Sequence, residues 1–114
     1  MISAAIQKFL NEHPEASVLD LSLTYQWYDE IEAGRKKEEY RELSDYYRSR
    51  LTFPQWRGTD IFRHYDYVLF HRGRFSPTTM LVKCDGIRIG YGREDWGAEQ
   101  GKQYFVIQLG DRII

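Results

Sequence analysis

The chain of 114 residues has one cysteine, Cys84, three prolines and almost no net charge, the formal balance being −1. A lone cysteine excludes an internal disulfide and fits a reducing, cytoplasmic setting. No window approaches the ~18 apolar residues of a membrane-crossing helix. No basic leader precedes an apolar run at the N-terminus, so neither a span nor a targeting segment is expected. Metal binding is not expected: His13, His64 and His71 lack ligand spacing, and Cys84 brings no partner. Nothing beside Cys84 would lower its pKa, Asp85 least of all, which argues against a nucleophilic thiol. Gly86, Gly90, Gly92, Gly97 and Gly101 precede no helix-forming segment, so they read as turn residues rather than a phosphate loop. No cofactor is implied.

Aromatic residues, by contrast, are plentiful: three Trp, nine Tyr and six Phe. Such side chains suit a pleated, half-buried surface and lean towards β structure. With 42% hydrophobic and 29% charged residues the composition is that of one globular domain, long enough to bury roughly two thirds of its unfolded surface. The small net charge hides an asymmetry. In residues 1–33 Lys8 stands against Glu12, Glu15, Asp20, Asp29, Glu30 and Glu32, a balance of −5. In residues 46–75 Arg48, Arg50, Arg57, Arg63, Arg72 and Arg74 stand against Asp60 and Asp66, a balance of +4. Global charge therefore gives no argument for nucleic acid, but a local basic patch does.

Along the chain, Ile2, Ile6, Phe9 and Leu10 fall at helical spacing, and Pro14 closes that helix. Residues 1–16 are read as an amphipathic helix packed on the domain formed by 17–114. Leu19, Leu21 and Leu23 alternate as the inner face of a strand. Thr24 is placed to cap a helix from Tyr25 to Ala33, with Trp27, Tyr28 and Ile31 as its buried stripe. Gly34 stands where that helix stops. From Lys37 to Glu42, strand spacing puts Lys37, Glu39 and Arg41 on one face and Glu38, Tyr40 and Glu42 on the other. Ser44 to Leu51 reads as a short capped helix with Tyr47 and Leu51 inside. Ile61 to His71 alternates, and Thr78–Lys83 and Gly86–Tyr91 are expected to pair about an Asp85-Gly86 turn. Tyr104–Leu109 is the closing strand, with Gly110-Asp111 turning the chain into an edge segment. Five or six strands with short helices give an α+β chain built on a small mixed β-barrel.

Two stretches carry chemistry. The window 46–75 sets its six arginines among Tyr46, Tyr47, Phe53, Trp56, Phe62, Tyr65, Tyr67, Phe70 and Phe75. Arginine pairs with phosphate and exposed rings stack unpaired bases, so the window is either an RNA-binding surface or an aromatic core with a solvated basic rim. The second stretch is Gly34-Arg35-Lys36-Lys37-Glu38-Glu39-Tyr40-Arg41.

Leu-Asp-Leu-Ser-Leu from Leu19, then Trp27, Ile31 and Gly34-x-Lys36-x-x-Glu39-x-Arg41, resembles the ASCH domain of the PUA-like superfamily. Gly90-Tyr91-Gly92, Trp96-Gly97-Ala98 and Tyr104 to Gly110 extend the similarity, which covers residues 18–114. The resemblance implies a small PUA-like barrel with a cleft beside the first helix of that domain, where members bind RNA or nucleotide-like ligands. Lys36, Glu39 and Arg41 would line it. Tyr25, Arg57, Tyr91, Arg93 and Trp96 are further ligand-binding candidates from loops at one end. Lys36 suits a phosphate or carbonyl, Glu39 a base amino group or a proton, and Arg41 a phosphate or the Glu39 carboxylate.

Some members of the family look like amidohydrolases that deacetylate modified cytidine with a lysine and a threonine of this signature. Here Lys36 matches the lysine, but Glu39 stands where that subgroup has threonine. Other members act as ribonucleases. The expectation is therefore a module that binds RNA, a nucleotide or a nucleoside. The alternative is a hydrolase of a modified nucleoside or of RNA, with Lys36 and Glu39 catalytic. A third account makes Lys36, Glu39 and Arg41 a structural ion-pair cluster.

Overall fold

Leu19, Leu21 and Leu23 point one way from an extended chain and are buried, while Asp20 and Ser22 between them are exposed. That alternation makes β1 (Val18–Leu23). A computed structural model describes residues 2–53 and 61–114. Around β1 it places α1 (Ala4–Glu12), α2 (Tyr25–Glu32), β2 (Glu38–Arg41), α3 (Asp45–Leu51), β3 (Tyr67–Arg72), β4 (Thr79–Tyr91) and β5 (Gln103–Arg112). The strands form one sheet in the order β1-β3-β4-β5-β2, with β1 parallel to β3 and the other pairs antiparallel. The sheet curls into a half-barrel, and the fold is α+β. No helix among the described residues is long and apolar enough to cross a membrane.

One face of the sheet carries the main core. Leu21, Val68, Phe70, Met80, Phe105 and Ile107 from four strands pack with Tyr28 and Ile31 of α2 and Leu51 of α3. Each such side chain contributes about 1.5–3 kcal/mol on burial, so this face dominates stability. The opposite face is covered locally by α1, whose Ile6 packs on the cross-strand pair Leu69 and Leu81, with Phe9 and Leu10 alongside. The Ser3 hydroxyl caps α1 by accepting from the Ile6 amide at 3.2 Å. Ser44 does the same for α3 through the Tyr47 amide at 3.3 Å.

Four expectations need correction. Thr24 is the N-cap of α2, but its hydroxyl makes no capping bond; its backbone carbonyl accepts the Tyr28 amide instead. Residues 61–66 are not strand, and β3 begins only at Tyr67. The chain is diverted there because the Asp66 amide bonds the Ser17 carbonyl and its carboxylate accepts the Ser17 amide. Asp85-Gly86 does not turn the chain. A tight hairpin turn of the Asn-Gly or Asp-Gly kind needs φ > 0 at both central residues, and here only Gly86 adopts it, at 139°. The register shifts between Val82 and Gly86 mark a bulge in one continuous strand, which pairs with β3 before the bulge and mainly with β5 after it. Likewise Gly110-Asp111 stays within β5, which runs on to pair Arg112 with Val82.

Candidate functional site

Gly34, at φ 78°, ends α2, and the Arg35 and Lys36 amides both return to the Glu30 carbonyl. This tight wrap turns Lys36 inward before β2 starts. Its ammonium meets Glu39 Oε1 at 2.7 Å. Glu39 and Arg41, two residues apart on β2, share a face, and the guanidinium reaches Glu39 Oε2 at 3.0 Å from Nε and 2.7 Å from a terminal nitrogen. Arg41 also donates to the Tyr47 hydroxyl of α3 at 2.8 Å and to the Ser22 carbonyl of β1 at 2.9 Å. A single side chain therefore ties β2 to β1, the two outermost strands of the sheet.

Depth separates these three residues. Lys36 is 2% exposed and Glu39 5%, and the Arg41 side chain is 15% exposed. The Lys36 ammonium sits 4.8 Å from the centre of the Trp27 ring and 5.7 Å from that of Tyr40, a geometry in which the ring faces attract a cation. Two cations and one anion leave the cluster a formal excess of one positive charge. Burial disfavours the charge on Arg41, but Glu39 and the Tyr47 hydroxyl outweigh it and hold the guanidinium above its ordinary pKa. Burial pushes the Tyr40 phenol up as well; its hydroxyl donates to Glu38 and accepts the Arg93 amide.

Outside this cluster runs a groove in two parts. A cleft of about 290 Å³ is walled by Thr24, Trp27, Glu39, Arg41 and Tyr47. Across Arg41 it meets a wider hollow of about 560 Å³ bounded by Asp20, Tyr46, Arg50 and Arg74. Ser22, Arg41 and Tyr47 belong to both. Lys36 lines neither part; it lies behind Glu39. Arg50 comes from α3 and Arg74 follows β3, so they stand on different walls. Among the described residues neither guanidinium has a hydrogen-bond or ion-pair partner, in contrast to Arg35, Arg41, Arg72, Arg88, Arg93 and Arg112. The Arg50 guanidinium lies 4.7 Å from the Tyr46 ring centre, and that ring is 57% exposed.

The other sequence candidates lie elsewhere. Tyr25 opens α2 beneath the Arg72 guanidinium and is exposed. Tyr91 ends β4, opposite Gln103, also exposed. Arg93 pairs with Asp95 and covers Trp96 at 4.2 Å. The loop that carries Arg93 and Trp96 backs onto the site, since side chains at Gly92 and Gly97 would strike the Tyr40 and Trp27 rings. Arg57 and Trp56 lie outside the described residues.

Arg50 and Arg74 were within the basic window, but periodicity gave no reason to choose them over their neighbours. Pairing separates them, and pairing is a tertiary property. Cys84 is buried, and its burial raises the thiol. Among the described residues no three of His, Cys, Asp and Glu are gathered to hold a metal ion. Compared with protein-family models, with curated proteins and with solved structures, the chain matches none.

Proposed function

We propose that the chain is an RNA- or nucleotide-binding domain of the ASCH type, its half-barrel a PUA-like barrel. Its ligand lies in the groove between β1, β2 and α3. Glu39 and Arg41 form the inner wall, and Lys36 sets their positions from behind. The observation that carries this reading is a pair of guanidiniums, Arg50 and Arg74, that stand on two walls of one hollow without a hydrogen-bond or ion-pair partner among the described residues. Arginine in that state suits phosphate, which it can grip with two parallel hydrogen bonds. The excess positive charge of the cluster beneath adds to the attraction.

Binding is preferred to hydrolysis because both Glu39 oxygens are engaged, one by Lys36 and the other by Arg41. A general base or nucleophile would need one of them free. Incubation with acetylated cytidine and with labelled RNA should accordingly give no turnover above that of the Lys36→Ala variant. The binding test is fluorescence anisotropy with a labelled oligouridine across a salt series. Arg50→Ala and Arg74→Ala should each weaken binding and flatten the log–log salt slope by about 0.7. Oligouridine that binds the wild type no better than it binds the double variant counts against the proposal.

A further inference from the structure

Three rings near the groove are exposed, and each lies against an arginine. Tyr46 lies against Arg50 at 4.7 Å, Phe75 against Arg74 at 5.6 Å and Tyr25 against Arg72 at 4.4 Å. Their exposures are 57%, 91% and 60%. Scattered exposed rings are common on protein surfaces, but these follow one path. Tyr46 and Arg74 border the same hollow, Phe75 is next to Arg74, and Tyr25 packs so closely on Gly73 that a Cβ there would lie 2.7 Å from its ring. The turn after β3 thus joins the hollow to Tyr25.

Among the described residues Phe75 belongs to no hydrophobic cluster, and its ring contact is with Arg74. At 91% exposure it contributes almost nothing to the core, and leaving a phenylalanine in water forgoes about 1.5–3 kcal/mol of burial. Arg72 is neutralised by two bonds to Asp29, whereas Arg50 and Arg74 meet no counter-ion among the described residues. The surface therefore alternates stacking faces with phosphate-binding cations. Sequence-tolerant binding of unpaired nucleic acid uses that combination.

Resting on the binding reading above, we infer that the ligand is a single strand of nucleic acid rather than a free nucleotide. One phosphate region sits between Arg50 and Arg74, a base stacks on Tyr46, and the strand leaves the groove over Phe75 towards Tyr25. A free nucleotide would occupy the hollow and leave Phe75 and Tyr25 without a role. A duplex, whose bases are already stacked, presents nothing for these rings to take.

The test uses fluorescence anisotropy with labelled twelve-residue oligouridine, competed by uridine monophosphate, by a duplex of equal length and by oligoglutamate of equal charge. The strand should bind at least tenfold more tightly than any competitor. Phe75→Ala should weaken it roughly 5- to 150-fold, the range for one lost base stack, with the salt slope unchanged. Tyr25→Ala should act in the same direction. Both rings are exposed, so the melting temperature should stay constant in each variant.

If uridine monophosphate binds as tightly as the strand, or Phe75→Ala binds like wild type while Arg50→Ala still weakens binding, the inference falls and the groove remains a nucleotide site. Equal competition by oligoglutamate would also overturn it, by reducing the surface to charge alone. If neither strand nor monophosphate binds, the proposed function falls with it.

Discussion

Two sets of cations belong to the groove, one in and behind its inner wall and one at its rim, and they differ in depth and in pairing. Lys36 is buried and Arg41 half-buried, both bound to Glu39 and framed by rings from α2, β2 and α3. Arg50 and Arg74 stand at the rim, each against a ring but without a counter-ion among the described residues. Burial explains the difference. A cation taken out of water must find a carboxylate and hydrogen-bond acceptors or it destabilises the fold by several kcal/mol. One left at the surface carries no such requirement and stays available to a ligand. The inner set is therefore tied to the architecture, and the outer set is free to bind.

The comparison breaks most readily at Glu39. Glu39→Ala leaves the buried Lys36 and the half-buried Arg41 without their anion and should lower stability by about 3–5 kcal/mol, seen as a melting temperature roughly 10–25 °C lower. A variant that melts within a few degrees of wild type would mean that the cluster admits water. Lys36→Met should be milder, about 1–2 kcal/mol by denaturant titration. It orphans one Glu39 oxygen but removes a costly buried charge and leaves Glu39 and Arg41 balanced. The opposite ranking of these two variants would overturn the account of a cluster with excess positive charge.

At the rim, Arg50→Ala and Arg74→Ala should change stability by less than about 0.5 kcal/mol while weakening oligouridine binding. A large loss of stability would move them to the inner set. The smallest effect belongs to a surface group. The Asp66 carboxyl lies below its ordinary pKa, held there first by the Ser17 amide and then by His64. A depressed carboxylate stabilises the fold above its unfolded value of about 3.9, and that contribution is lost as the pH falls below it. Because Asp66 is 40% exposed, solvent screens the interaction. Asp66→Asn should only slightly flatten the acid limb of a stability–pH profile.

Much of this arrangement was legible in period-two and capping patterns. Leu19, Leu21 and Leu23 announce β1, Ser44 announces α3, and the spacing of Glu39 and Arg41 puts them on one face. Each of those depends on neighbours in the chain. Lys36 is different: its amide returns to Glu30, so a helix end rather than strand alternation decides where the ammonium goes, and nothing local reports its depth. Asp85-Gly86 misleads for a related reason. The dipeptide is compatible with a turn, but the long-range ladder from β4 to β5 outweighs that local preference and converts it to a bulge. The Ser22 carbonyl, a backbone atom, has no residue-type signal at all.

That carbonyl gives the Arg41 bond a second consequence. β1 lies at the margin of the sheet, and margins with unsatisfied backbone groups recruit strands from other molecules. By occupying Ser22, Arg41 denies a neighbouring copy one of the acceptors it would need to extend the sheet. The residue that shapes the groove therefore also satisfies one backbone acceptor at an edge of the sheet.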